Sequence, residues 1–389
     1  MKIIITGGGS GGHFYPLMAV ADKVREVNDD KHIIQPKIYY MADVPYDENV
    51  LFRQEIEFIK TYSGKLRRGA GIKGFFSSSV RGLAKVLRKD RPDVVILTGW
   101  QIFPLLQALF CAVMLRIPRI VRAESNGMKP RGWRVRLVHR LLLPLYNGYL
   151  VIGRANQQFY SGYGVPRQKL FSCPYFVDNE RFLDQVEKSI RKRDELRSRW
   201  SIPAGSICFL YVGKLTEKKR ILDQLSALKS AMASDSNIHL LVVGTGELLE
   251  DARKEVKKNH LPVSFVGFLN QTEITDAYGV ADCLILSSDY DETWGLVVNE
   301  AMVCGLPAIV SDRVGCGPDL VEEGITGSLY PFGDIQTLAA RMLYMAENQE
   351  RLLQMGKNAQ RRVLQHYNVK KAVKGTLAAV EDVTGQAIS

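Results

Sequence analysis

The chain has 389 residues, 46% hydrophobic and 24% charged, more than one hydrophobic core usually serves and too apolar for disorder. Its six scattered cysteines, Cys111, Cys173, Cys208, Cys283, Cys304 and Cys316, form no CxxC pair and have no histidines at zinc spacing, which argues against structural zinc and a disulfide framework. The net charge of +11 is local: residues 65–91 carry nine Lys or Arg against the single acid Asp90, and residues 129–140 carry five against none, so an anionic partner is expected on the N-terminal half, whether phospholipid surface, pyrophosphate-linked acceptor or nucleic acid.

In chain order, β-branched runs alternate with amphipathic helical stretches, the pattern of parallel sheets covered by helices. Strands are expected at 2–6, 37–41, 94–98, 119–123, 148–152 and 169–172, then at 207–212, 239–243, 263–268, 283–286 and 307–310. The opening run turns to glycine too soon to be a signal peptide. The apolar run 102–115, broken by Pro104 and Gln107, is short of the roughly 20 residues that span a bilayer. Both features point to a cytoplasmic protein. Residues 179–201 are highly charged and lack a strand pattern, which places a domain boundary near 179. Helices at 337–349, 351–366 and 370–383 close the chain. The expected organisation is α/β with two Rossmann-like domains, 1–178 and 179–369, and a C-terminal stretch, 370–389, that crosses back onto the first.

The first glycine loop, Thr6 to His13, follows a strand and precedes a helix with Leu17, Val20, Ala21 and Val24 at helical spacing. Glycines such as Gly11 and Gly12 let a backbone approach a ligand closely, and a helix N-terminus favours anions. Gly7-x-Gly9-x-x-Gly12 also fits a dinucleotide fingerprint. The acid that fingerprint needs is missing at the right distance, Asp43 being the one acid near the end of the second strand. His13 is either a structural residue or a contact to an acceptor hydroxyl or sugar.

In the second half, the strand 207–212 ends in Gly213 and places Lys214 and Lys219 at a carboxyl end, where open α/β sheets bind ligands and two cations can neutralise a diphosphate. A solvated charge run is the plain alternative. The strand 283–286 leads into Glu292, Trp294 and Gly295, then into a helix that begins at Leu296 and carries Glu300. The two carboxylates can grip two ends of one ligand, since a carboxylate accepts a pair of hydroxyls and free helix amides suit phosphate. Complementation of the helix dipole is the alternative for Glu300. Gly244 and Gly246 form either a ligand loop or a plain turn. Asp289-Tyr290-Asp291 imitates a metal-binding DxD motif, but the lysines already supply positive charge and no metal is expected.

The segment Gly7 to Pro16 resembles the start of the N-acetylglucosaminyltransferase of peptidoglycan synthesis. The stretch Gly213 to Lys219, with Glu292 to Gly295, Glu300-Ala-Met, Gly305-Leu-Pro307 and Gly324-Ile-Thr-Gly327, resembles the donor domain of glycosyltransferase family 4. Pro174 to Asp178 resembles the family more weakly. The resemblance implies a GT-B fold, two Rossmann-like domains facing each other across a cleft, the first for acceptor and the second for nucleotide-sugar donor. It implies that Lys214 and Lys219 bind the diphosphate, Glu292 the hydroxyls of the transferred sugar, Gly295 the donor through its amide, and Glu300 the ribose. Gly244 and Gly246 would lie near the nucleobase, and Glu124 in the cleft. Lys214 stands where the family often has Arg, Arg220 where it often has Gly, and Trp294 where it often has Phe.

The expected function is transfer of a hexose-type sugar from a nucleoside diphosphate, of UDP type, to a glycan or lipid-linked acceptor with retention, without metal or nucleic acid. The residues leave open an inverting GT-B transferase or a nucleotide-sugar epimerase, and outside the fold an NAD-dependent oxidoreductase or a noncatalytic sensor. Arg67, Arg68 and Lys73 beside Phe75 and Phe76 are candidate contacts for the acceptor or for the anionic inner face of a membrane, where the protein would sit peripherally.

Overall fold

The computed structural model describes residues 1–7, 20, 23, 35–42, 57–60, 78–101, 103–233 and 237–387. Within them the chain divides into two compact units, Met1–Tyr175 with Val369–Ser389, and Phe176–Asn368.

The first unit is built on a parallel sheet in the order β3-β2-β1-β4-β5-β6-β7. Its strands are β1 (Lys2–Gly7), β2 (Gln35–Ala42), β3 (Glu57–Lys60), β4 (Val94–Leu97), β5 (Arg119–Val121), β6 (Gly148–Val151) and β7 (Leu170–Ser172). β4 and β6 are buried along their whole length, as strands covered by helices on both faces must be. The covering helices include α1 (Ser78–Asp90), α2 (Phe103–Met114), α3 (Trp133–Leu142) and α4 (Arg154–Gly162). Within the apolar run 102–115, Phe103–Met114 is α2, with Leu105, Ala108, Leu109 and Ala112 in the core. No helix among the described residues is long and apolar enough to cross a membrane.

The second unit opens with α5 (Asn179–Arg191) and α6 (Arg193–Arg199), the charged segment that shows no strand pattern. α5 is capped by Asp178, whose carboxylate accepts from the Arg181 amide. Its sheet, all parallel, runs β10-β9-β8-β11-β12-β13. The strands are β8 (Ile207–Val212), β9 (Ile238–Val243), β10 (Val263–Gly267), β11 (Cys283–Leu286), β12 (Ala308–Ser311) and β13 (Gly327–Tyr330). Around it lie α7 (Ile221–Met232), α8 (Leu249–Asn259), α9 (Ile274–Val280), α10 (Leu296–Val303), α11 (Gly317–Leu320), α12 (Ile335–Glu347) and α13 (Gln349–His366). Phe209, Leu240, Ile285, Ile309 and Met342 share one core.

The final helix, α14 (Val369–Thr384), belongs to the first unit and packs on β5, β6 and β7. It buries Ala372, Val373, Ala379 and Val380 there, and Thr376 Oγ1 lies 3.7 Å from Cys173 Sγ. All six cysteines are buried thiols outside any disulfide.

Candidate functional site in the second unit

In the second sheet β8 lies between β9 and β11, so the chain leaves β8 toward one side and comes back on the other. The carboxyl ends of two such strands splay their loops apart and leave a crevice between them. The loops at that switch point are residues 213–220 after β8 and 287–295 after β11, and they carry Lys214, Lys219 and Glu292.

The two loops are stitched together. Ser287 Oγ donates to the carbonyls of Lys219 and Arg220 at 2.9 and 3.2 Å, and the Asp289 amide donates to Lys218 O at 3.0 Å. The Lys219 ammonium pairs directly with the Glu292 carboxylate. Their side chains are 12% and 16% exposed, so the pair is held where water screens it only in part. The Lys219 stem passes beside Gly213, whose hydrogen faces Lys219 Cε at contact distance. Lys214 is exposed, and among the described residues its ammonium has no carboxylate partner.

Gly295 precedes α10 with φ +99°, and a Cβ there would stand 2.8 Å from Leu286 Cδ2. Only glycine fits both the left-handed backbone and the space. Gly295 gives α10 no side-chain cap, and no cap is seen among the described residues, so the leading amides at Leu296 remain available to an anion. Glu300, one turn further, accepts from Tyr278 OH of α9 at 2.6 Å. Burial pushes the Glu300 carboxyl up, while the Tyr278 hydrogen bond and the charges of Arg181 and Lys219 pull it back down. The tyrosine occupies one carboxylate oxygen, leaving the other for a ligand hydroxyl.

Trp294, a candidate donor contact from its place in the motif beside Gly295, is buried. It is 4% exposed and its indole N–H donates to Asn299 Oδ1 at 2.8 Å, so the ring packs into the core. A large flat side chain just before the glycine turn is drawn inward because α10 offers it a buried partner.

Gly244 and Gly246 pack on the other loop: a Cβ on Gly244 would overlap Gly213 O, and one on Gly246 would overlap the Leu215 backbone. The Leu215 amide donates to Thr245 O at 2.9 Å, and the Leu248 amide donates to Leu215 O at 3.1 Å. Close packing therefore accounts for both glycines, and Thr245 between them is exposed. Asp289 Oδ1 accepts from the Asp291 amide at 2.8 Å, closing its own turn. Arg313 is stacked between Tyr290 and Phe332, 4.5 and 4.1 Å from the ring centres.

In the first unit Glu124 is half-buried in the stretch after β5, three residues beyond its last pairing. Asn156 fixes the backbone on either side of it, donating to Ala123 O at 3.0 Å and Ser125 O at 2.5 Å. Gly11, Gly12, His13, Arg67, Arg68, Lys73, Phe75 and Phe76 lie outside the described residues. Sequence reasoning missed Ser287, Tyr278 and Asn299. None stands in a motif, and each acts through a partner distant in sequence or hidden in a helix.

Residues 192–362 match the family model for glycosyl transferases group 1, and residues 3–135 match the glycosyltransferase family 28 N-terminal domain. The chain is 27% identical over 194 residues to the N-acetyl-alpha-D-glucosaminyl L-malate synthase of Bacillus anthracis, covering 49% of this chain and 50% of that protein. It spans about half the length of several of the curated relatives it matches. Among solved structures, a glycosyltransferase from Rickettsia africae superposes with a TM-score of 0.81 at 14% identity, covering 99% of each chain. The Anabaena protein HepE, in complex with UDP and glucose, superposes with a TM-score of 0.74 at 17% identity over 96% of this chain and 97% of its own. At such identities the likeness is one of fold.

Proposed function

The chain belongs to the GT-B glycosyltransferase family, and on that premise we propose that it moves a hexose-type sugar from a nucleoside diphosphate, of UDP type, to a hydroxyl of a glycan or glycolipid. The observation that carries this reading is the Lys219–Glu292 pair, formed between the β8 and β11 loops beside an uncapped helix N-terminus. Lys219 and Lys214 neutralise the diphosphate as it leaves, the α10 amides share that charge, and Glu292 accepts hydroxyls of the transferred sugar. Glu300 takes the ribose hydroxyls. Positive charge placed where negative charge develops is the strongest lever such a site has. Trp294 contributes packing, and Gly244 and Gly246 hold the Lys214 loop against its neighbour.

Retention, with the departing phosphate oxygen taking the acceptor proton, is the outcome that the family 4 resemblance favours. Inversion is the second reading, favoured by the family 28 match of the N-terminal half, because relatives of the peptidoglycan type invert. A lipid-linked acceptor would set the protein at the cytoplasmic leaflet of a membrane.

Screening UDP-, GDP- and dTDP-sugars for slow donor hydrolysis identifies the donor, and NMR of the first-formed anomer decides between retention and inversion. Turnover is expected to persist in EDTA, since lysines supply the charge. Strict dependence on manganese would return Asp289 and Asp291 to the site. No hydrolysis or transfer with any donor would sink the proposal.

A further inference from the structure

Helix α3 is turned inside out. Its buried residue is a histidine, His139, set among Trp100, Phe159 and Tyr163 at ring distances of 5.5, 5.3 and 5.3 Å. At about 100° per residue the pole opposite His139 falls between Leu137 and Leu141, with Trp133 one turn earlier. Those three are 49%, 66% and 70% exposed. An amphipathic helix ordinarily buries such a stripe, and scattered single apolar residues do not explain three at i, i+4 and i+8.

The helix is not a loose end. Arg131 Nη1 donates to Asn126 O at 2.6 Å and its guanidinium lies over Phe159, 4.9 Å from the ring centre. Leu143, just past the last turn, is buried, and Tyr149 OH donates to its carbonyl at 2.5 Å. The stripe is therefore held outward from both ends. Arg134 flanks it on one side, Arg136 and Arg140 on the other, all exposed, and residues 129–140 contain no acid.

We propose that α3 lies along the surface of an anionic phospholipid bilayer, with Trp133, Leu137 and Leu141 entering the boundary between headgroups and acyl chains and Arg134, Arg136 and Arg140 bound to lipid phosphates. Indole suits that boundary, and arginine can keep its stem among apolar groups while its head stays with phosphate. Charge selects the occupant. A second copy packing by a two-fold axis would set these arginines against themselves, whereas anionic lipid neutralises them. The helix lies outside the basic segment around Phe75 in sequence, and the proposal rests on the membrane placement above but not on the donor chemistry.

Cosedimentation of the full chain with vesicles of equal parts phosphatidylglycerol and phosphatidylcholine, against phosphatidylcholine alone, tests it. The parent is expected to bind the anionic vesicles alone, and Trp133→Ser with Leu137→Ser and Leu141→Ser to abolish binding. Replacing Arg134, Arg136 and Arg140 by Gln should weaken it about a hundredfold, at roughly fivefold per cation near an anionic surface. Trp133 emission should shift to the blue on binding, and the shift should vanish in Trp133→Phe. Unchanged binding by either triple variant would overturn the proposal. So would a dimer on gel filtration that the apolar variant dissociates, which would assign the stripe to a second copy. Vesicle binding by a chain that hydrolyses no donor would sink the transfer reaction and leave this surface standing.

Discussion

Lys214 and Lys219 leave the same strand five residues apart with the same charge, yet only one is built into the structure. Lys219 reaches across to the β11 loop and holds Glu292 in a pair that is nearly buried, while Lys214 stands in solvent. A charge in water at 4 Å from its partner is worth about 1 kcal/mol, and one near a protein surface about four times that. The two lysines should therefore differ in what they hold together before any ligand arrives. Lys219→Ala is expected to lower kcat/KM by roughly a hundredfold or more, as loss of a transition-state contact can. It should also lower stability by about 1–3 kcal/mol, because Glu292 is left partly buried without its partner. Lys214→Ala should cost activity roughly tenfold and leave the melting temperature where it was, within the range of a surface substitution. Equal effects of the two on both readouts would erase the distinction. A double variant of Lys219→Ala and Glu292→Ala sharpens it: its stability loss should be smaller than the sum of the singles.

The second test moves from the charges to the backbone that places them. Gly295→Ala puts a methyl against Leu286 Cδ2 at a φ of +99°, two penalties that together should cost about 2–3 kcal/mol in chemical denaturation. If the loop yields instead, and the variant unfolds at the parent denaturant concentration, the N-terminus of α10 is not fixed in the way the geometry requires.

What the sequence made legible was whatever announces itself locally. The runs for β8 and β11 are uninterrupted apolar stretches and that for β9 is broken only by His239, and all three begin and end within a residue of expectation. β3 and β13 were missed. β3, with Glu57 and Lys60 among four residues, is an edge strand, where charge is normal and alternation is weak. β13 begins Gly-Ser and forms by pairing with β12, so its strand character comes from its neighbour rather than its own propensity. β10 stops at Gly267, after a register shift, and leaves Phe268 75% exposed. In the site, Lys219, Glu292, Gly295 and Glu300 were legible because loop ends of parallel strands collect ligand residues. The Lys219–Glu292 contact, the Tyr278 bond to Glu300 and the inward turn of Trp294 were not, since each depends on a partner brought near only by folding.

Glu300 offers a third and smaller effect, readable through pH. Burial raises its carboxyl above the ordinary value of about 4.3, so on acidification it takes up its proton earlier than an exposed glutamate. Donor affinity measured by calorimetry should fall as pH drops through that raised value, because the protonated group loses acceptor capacity. Stability moves the other way. The folded state holds this proton more tightly than the unfolded chain, so the contribution is fully present below the unfolded pKa and is lost as pH rises through the folded one. Glu300→Gln should flatten both trends, and an unchanged pH dependence of donor affinity in that variant would remove Glu300 from the ligand contact.

The smallest effect expected is at Arg220, where the chain departs from the glycine common in family 4. Its φ is +56°, which explains why glycine suits the position and costs arginine about 1 kcal/mol. The guanidinium offsets this by binding both oxygens of Asp223 at 2.9 Å, and Asp223 is only 12% exposed. Two charge-assisted bonds to a nearly buried carboxylate outweigh the backbone relief, although the α7 N-terminus also favours the acid and limits the loss. Arg220→Gly is therefore expected to destabilise the protein by about 1 kcal/mol in urea denaturation, despite restoring the residue common in the family it resembles. In an Asp223→Ala background the same change should be neutral or stabilising by about 0.5 kcal/mol, since the backbone term is then opposed only by the loss of the guanidinium's contact with the Phe332 ring, 5.5 Å from its centre. Stabilisation by Arg220→Gly with Asp223 intact would mean that the pair contributes nothing and that the left-handed turn alone decides which residue this loop prefers.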